Sequence, residues 1–211
     1  MLRVKEIFQS LQGEGPDVGT PAVFIRLAGC NLACEWCDTD FTTEAVERSV
    51  DKILGEVESL ITPNHFVVIT GGEPFLQPRL VDLLLGLRRY EYRTQIETNG
   101  TLWAPRLDHH LADFFPGGWW SLVCSPKPGH PVHPSILKMV SAVKIVVGAG
   151  DDLDDLFPIQ SLGMESELIF LQPRDDGDPS KNQDNIRTAA GLCLKHGYRL
   201  SLQTHKLLGI K

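Results

Sequence analysis

The chain has 211 residues, 42% apolar and 22% charged, a composition that suits one globular domain with a large core. Its formal net charge is −7, whereas a nucleic-acid-binding surface wants a basic field. No apolar run approaches membrane-spanning length and Met1-Leu2-Arg3-Val4-Lys5 leads straight into polar sequence, so neither a membrane span nor a signal peptide is expected.

Residues 4–15 form a short extended piece that ends in a glycine-punctuated loop, where Gly13 and Gly15 flank Glu14 and let the backbone turn. Alone, this is most simply a solvated turn; alternatively it presents Gln12 and Glu14 inward. Residues 21–29 read as a buried strand carrying one charge, Arg26, and a lone arginine in such a run needs an anionic partner. Next comes Gly29-Cys30-Asn31-Leu32-Ala33-Cys34-Glu35-Trp36-Cys37-Asp38-Thr39, with three cysteines in eight residues. Over 43–61, Val46, Val50, Ile53, Leu54, Val57 and Leu60 share one face, which predicts a helix capped by Thr42 or Thr43.

Residues 65–70 predict a buried strand that ends in Thr70-Gly71-Gly72-Glu73-Pro74, and a second apolar helix follows near 78–90. Further strands are expected at 93–100, 119–124, 142–147, 167–172 and 198–203. An acidic helix is expected around 151–160 and a capped helix over 182–196, with 174–184 as a long polar loop. Strands alternating with helices mean right-handed crossovers and a mainly parallel sheet. Roughly six βα units fit this length, and a closed eight-unit barrel needs about 250 residues, so the expected α/β fold is an incomplete, TIM-like barrel in a single domain over 1–211.

Three clustered thiols in a chain expected to carry no signal peptide point to metal rather than to disulfides. A structural zinc site would want a fourth ligand. Cys124 and Cys193 are isolated from the triplet and read as packed core residues, while His109 and His110 are adjacent rather than at ligand spacing. Three thiolates instead fill three of the four protein positions of a cubane iron–sulfur cluster and leave one iron open. The spacing of Cys30, Cys34 and Cys37, with aromatic Trp36 before the last, resembles the motif of the radical S-adenosylmethionine (SAM) enzymes. That resemblance implies a [4Fe-4S] cluster on the three cysteines, SAM as cofactor, and a reducing, cytoplasmic setting.

In parallel α/β folds, ligands bind at the carboxyl ends of the strands. The cysteine loop, Thr70-Gly71-Gly72-Glu73-Pro74, Glu97-Thr98-Asn99-Gly100, Ser125-Pro126-Lys127 and Gln172 all follow predicted strands. Any one of these is an ordinary turn; together they suit a SAM site. Gly72 and Glu73 would serve the methionine amino group, Ser125, Pro126 and Lys127 the carboxylate and ribose, and Gln172 the adenosine, with Trp36, Cys37 and Asp38 at the cluster side.

The opening Ser10-Leu11-Gln12-Gly13-Glu14-Gly15, together with Cys37-Asp38-Thr39, Ser125-Pro126-Lys127 and Gln203-Thr204-His205-Lys206, resembles the 7-carboxy-7-deazaguanine synthase family nearly end to end. The resemblance implies a carbon–nitrogen lyase that converts 6-carboxy-5,6,7,8-tetrahydropterin to 7-carboxy-7-deazaguanine with loss of ammonia, toward queuosine. Reductive cleavage of SAM would give a radical that takes hydrogen from C6, and ring contraction would follow with SAM regenerated. By the same match Leu11, Gln12, Gly13 and Glu14 line the pterin pocket, Arg26 and Thr70 reach its carboxylate, His205 sits near the pterin, and Thr39 binds Mg2+. A contact from the carboxylate of Lys211 to the substrate is expected as well. The match further implies a homodimer and an electron donor such as flavodoxin or ferredoxin. Two rivals are an activating enzyme for glycyl-radical proteins and a non-catalytic iron–sulfur electron carrier.

Overall fold

A computed structural model of the chain describes residues 1–37, 44–114, 118–156 and 164–211. Their strands form one sheet of nine in the order β3-β1-β2-β4-β5-β6-β7-β8-β9. β1 (Leu2–Leu11) runs antiparallel to β2 (Pro21–Leu27) and to the short edge strand β3 (Val46–Arg48). From β2 onward all pairs are parallel: β4 (Phe66–Gly71), β5 (Arg93–Thr98), β6 (Trp120–Cys124), β7 (Ala142–Val147), β8 (Ile169–Pro173) and β9 (Arg199–Leu200). Seven parallel strands imply six crossovers, in line with the expected number of βα units.

The crossovers carry α1 (Val50–Leu60), α2 (Leu80–Arg89), a 3-10 stretch at Pro105–Phe114, α3 (Pro134–Met139), α4 (Leu153–Leu156) and α5 (Pro179–His196). They cover one face of the sheet, where Ile25, Leu27, Ile69, Leu83, Leu84, Ile96 and Leu122 build the main core. Cys124 and Cys193 belong to that core, as packed thiols. Along the strands the opposite face is layered. Phe24, Phe66, Val68, Val123, Ala142 and Phe170 form two small apolar clusters there. Two residues further along each strand, on the same face by the period of two, come Arg26, Thr70, Ser125, Lys144 and Gln172. The inner face therefore has an apolar floor and a polar rim at the strands' carboxyl ends.

Several boundaries differ from expectation. The helix expected over 43–61 begins at Val50, because Ser49 accepts a bond from the Lys52 amide and caps it; Val46 lies in β3 and is exposed. Thr42 and Thr43, the expected caps, lie outside the described residues. The opening piece is a full ten-residue strand, since β2 pairs along most of it and β3 pairs with its start on the other side. The polar loop expected over 174–184 is shorter. Asp178 accepts from the amides of Ser180 and Lys181, so α5 starts at Pro179. The last strand keeps two residues, and a short helix α6 (Thr204–Leu208) follows it.

The sheet curls without closing. β1 and β9 lie far apart in the strand order, yet the Gly15 amide donates to the Ser201 hydroxyl at 2.9 Å. The Thr204 amide and hydroxyl both donate to the Gly13 carbonyl, at 3.0 and 3.1 Å. The loop after β1 therefore meets the segment after β9. Inside the curl lies a cavity of about 490 Å³, opening at the polar rim.

Candidate active site

The rim begins with the cysteine loop, which leaves β2 at Leu27. Gly71 and Gly72 at the end of β4 pack against it so closely that a Cβ on Gly72 would sit 2.0 Å from the Gly29 carbonyl oxygen. The Gly72 amide donates to the Leu27 carbonyl at 3.0 Å and the Glu73 amide to the Gly29 carbonyl at 2.9 Å. Glu73 itself is 0% exposed and lies behind the cavity wall. Its carboxylate accepts from the amides of Asn99 and Phe75 and from the Thr98 hydroxyl, at 2.7, 3.0 and 2.8 Å. Burial raises its pKa, and these donors together with Lys127 oppose that. Glu73 thus ties the loops after β4 and β5 together. Asn99 extends the brace, donating to the Asn31 side chain at 3.0 Å and approaching the Cys30 sulfur at 3.9 Å.

Cys30, Cys34 and Cys37 all line the cavity. Burial raises the Cys34 pKa, the Lys127 ammonium opposes that, and the charges of Cys37 and Cys30 add to the rise, so the three sulfurs lie close enough to feel one another. Among the described residues no three Cys, His, Asp or Glu side chains gather as a single-ion site requires. A cubane spreads its thiolates over separate irons, so the donor set fits that cluster. Lys127 donates to the Ser125 hydroxyl at 2.8 Å and stands 5.1 Å from the Trp36 ring centroid. Burial lowers the Lys127 pKa, as does nearby Lys144, while the thiolates oppose the shift. Gln172 also lines the cavity, is 6% exposed, and its Oε1 is buried without a hydrogen-bond partner among the described residues.

Other residues of the cavity form a polar mesh. Glu97 accepts from Gln12 at 2.9 Å, from Gln95 at 3.1 Å and from Thr70 at 2.9 Å. Glu14 accepts from Gln203 at 2.7 Å and pairs with Lys144, which is 8% exposed in the middle of β7. Arg26 reaches the same space, held at 2.9 Å by Glu6. The His205 ring lies so close to Gly13 that a Cβ there would sit 1.9 Å from its Nδ1, so a larger residue at 13 would push the ring aside.

The sequence profile of the Radical SAM superfamily matches residues 24–140. The 7-carboxy-7-deazaguanine synthase of Rhodospirillum rubrum is 40% identical, over 99% of this chain and 92% of its own length. Its counterpart from Hyperthermus butylicus is 46% identical over 82% of this chain and 77% of its own. The chain belongs to the 7-carboxy-7-deazaguanine synthase family of radical SAM enzymes. The crystal structure of QueE from Escherichia coli superposes with a TM-score of 0.70 at 28% identity, over 95% of this chain and 93% of that one. SuiB of Streptococcus suis bound to S-adenosylmethionine matches at 0.53 and 15% identity, covering 82% of this chain and 44% of that one, a likeness of fold alone.

Within this family member, Leu11, Gln12, Gly13, Glu14, Arg26, Thr70, His205 and Lys211 all line the one cavity, as do Trp36, Cys37, Gly72, Ser125, Lys127 and Gln172. Pro126 is buried beside them and is not on the cavity surface. Asp38 and Thr39 lie outside the described residues. Lys144 and Glu6 carry no role in the sequence reading, and Glu97 appears there only within a loop that follows a strand. Lys144 had the clearest signal, a lone charge in Ala142-Val143-Lys144-Ile145-Val146-Val147, the same signal that marked Arg26.

Proposed function

We propose that the chain converts 6-carboxy-5,6,7,8-tetrahydropterin to 7-carboxy-7-deazaguanine and ammonia, a step toward queuosine. The observation that carries this reading is that one cavity is lined by two sets of residues: three thiols with Trp36, Ser125 and Lys127, and a polar mesh of Gln12, Glu14, Arg26, Thr70 and His205. Cys30, Cys34 and Cys37 would hold the cluster, and Gly72, Ser125, Lys127 and Gln172 would hold SAM. When bound, cluster and SAM supply the carbon radical that starts the reaction.

The chain's own residues bind, orient and keep water out. Arg26 pairs with the substrate carboxylate through the planar fork that matches a carboxylate. Glu14 accepts from the donor-rich amino and amide edge of the pterin, its charge balanced from behind by Lys144. Gln12 and Thr70 are held in place by Glu97 and so present fixed polar atoms to the ring. Lys211 stands at the mouth beside Glu6 and Phe8, where it closes the substrate side. Thr39 is the proposed Mg2+ ligand, since a hard cation prefers oxygen and Thr39 directly follows Cys37 and Asp38. Family likeness also supports a homodimer, a flavodoxin or ferredoxin as electron donor, and a cytoplasmic setting; among the described residues no helix is long and apolar enough to cross a membrane.

An activating enzyme would act on a protein backbone and an electron carrier on no organic substrate, and neither has a use for the polar mesh. The test offers the reduced, reconstituted protein and SAM either the carboxypterin or a glycine-containing peptide. Consumption of the pterin with no radical on the peptide is expected; an untouched pterin would overturn the reading.

A further inference from the structure

Beside the cavity mouth, Glu6 bridges two cations. Its Oε1 accepts from Arg26 Nε at 2.9 Å, and its Oε2 pairs with the Lys211 ammonium. Both cations lie over the Phe8 ring, Arg26 Cζ at 5.6 Å and Lys211 Nζ at 5.0 Å from its centroid. Phe8 is itself stacked on Phe24 at 5.2 Å and 9°. All five residues line the cavity. Among the described residues the Nη1 and Nη2 groups of Arg26 make no hydrogen bond to the chain.

We propose that Glu6 is a positioning residue for substrate recognition: by gripping Arg26 at Nε it turns the paired Nη groups toward the cavity, ready for a ligand carboxylate. The inference deepens the carboxypterin reading and rests on it. An arginine side chain has several rotatable bonds, and a guanidinium anchored on one edge loses less freedom when its other edge binds. Phe8 and Phe24 give the guanidinium a flat support, which limits the remaining rotation. A ligand carboxylate can then bind without displacing Glu6, because it meets a different edge of the fork.

The test measures equilibrium binding of 6-carboxypterin, and of pterin lacking only that carboxylate, to the reconstituted protein with SAM bound. The natural chain, Glu6→Ala and Glu6→Gln are compared, with thermal melting as a check that each variant is folded. The natural chain is expected to prefer 6-carboxypterin. Glu6→Ala should weaken that ligand about tenfold, the scale of one charge-assisted hydrogen bond, and leave pterin and SAM within about twofold. Glu6→Gln should recover most of the loss, because its amide oxygen still accepts from Arg26 Nε. An equal loss for both pterins, no loss, or tighter binding of the carboxylate by Glu6→Ala would overturn the proposal. A natural chain that shows no preference for the carboxylate would overturn the carboxypterin reading itself, a failure read without any variant.

Discussion

Adding one methyl group at Gly72 tests how the cysteine loop is held. In Gly72→Ala the new Cβ would sit 2.0 Å from the Gly29 carbonyl oxygen, 2.4 Å from its carbonyl carbon and 3.0 Å from the Cys30 nitrogen. All three are backbone atoms, so no rotamer change relieves the clash, and the two loops must separate by about 1.4 Å to regain ordinary contact distances. That separation strains the bonds from the Gly72 and Glu73 amides to Leu27 and Gly29. Overpacking costs about 1–3 kcal/mol and each backbone bond contributes about 1 kcal/mol. A total loss of about 2–4 kcal/mol follows, a large part of the ~5–15 kcal/mol of a typical domain. Urea denaturation at a shared slope reads the loss as a lower midpoint, and iron bound per chain after anaerobic reconstitution reads the displacement of Cys30. Gly191→Ala is the control. It lies in α5 with nothing within 4 Å of the added carbon, and should gain about 0.5–1 kcal/mol from helix propensity. If Gly72→Ala matches the natural chain in both midpoint and iron content, the loop is not held by this packing.

Replacing Cys30, Cys34 or Cys37 singly with Ala should abolish both the cluster's visible absorption and SAM cleavage, whereas Cys193→Ala should retain both and lose only packing; full activity in any of the first three would refute their assignment. Thr39→Val should lose most of any stimulation by Mg2+ while the cluster's absorption stays intact, and an unchanged Mg2+ response would rule Thr39 out as a ligand. Asp175 titrates at about 2, held down by the Lys206 ammonium first, then by the Gly177 amide and Asn182. Its folded-state pKa lies below the ordinary value, so its contribution is present above about pH 4 and fades as pH falls toward 2. Discounted for partial exposure it is about 1 kcal/mol. Lys206→Met should therefore be less stable than the natural chain at pH 6 by about that amount, with the gap closing in acid; a gap that stays constant down to pH 2.5 would exclude this pair as its source.

The parallel order of the sheet was legible because Val, Ile and Phe runs mark strands buried on both faces, with amphipathic segments between them. Cys30, Cys34 and Cys37 were legible because metal spacing is local in sequence. Arg26 announced itself as a lone charge in an apolar strand. The bracing bonds of Glu73 were not legible, because its partners, Thr98 and Asn99, come from the next strand's loop and are invisible to spacing. The start of α1 was misplaced because Val46 fits the helical stripe; pairing of Val46 with Val4 across the sheet edge outweighs that periodicity. Glu6 and Lys144 act through partners 20 and 130 residues away in sequence, contacts that only the fold supplies.

The most direct single measurement is mass spectrometry of an anaerobic incubation of the reconstituted protein with reductant, 6-carboxytetrahydropterin and a limiting amount of SAM. The carboxypterin reading predicts a product lighter than the substrate by one ammonia, with the fused five-membered ring of a deazaguanine, in amounts exceeding the SAM supplied. Release of 5′-deoxyadenosine with the pterin unchanged, or no cleavage of SAM at all, would contradict it.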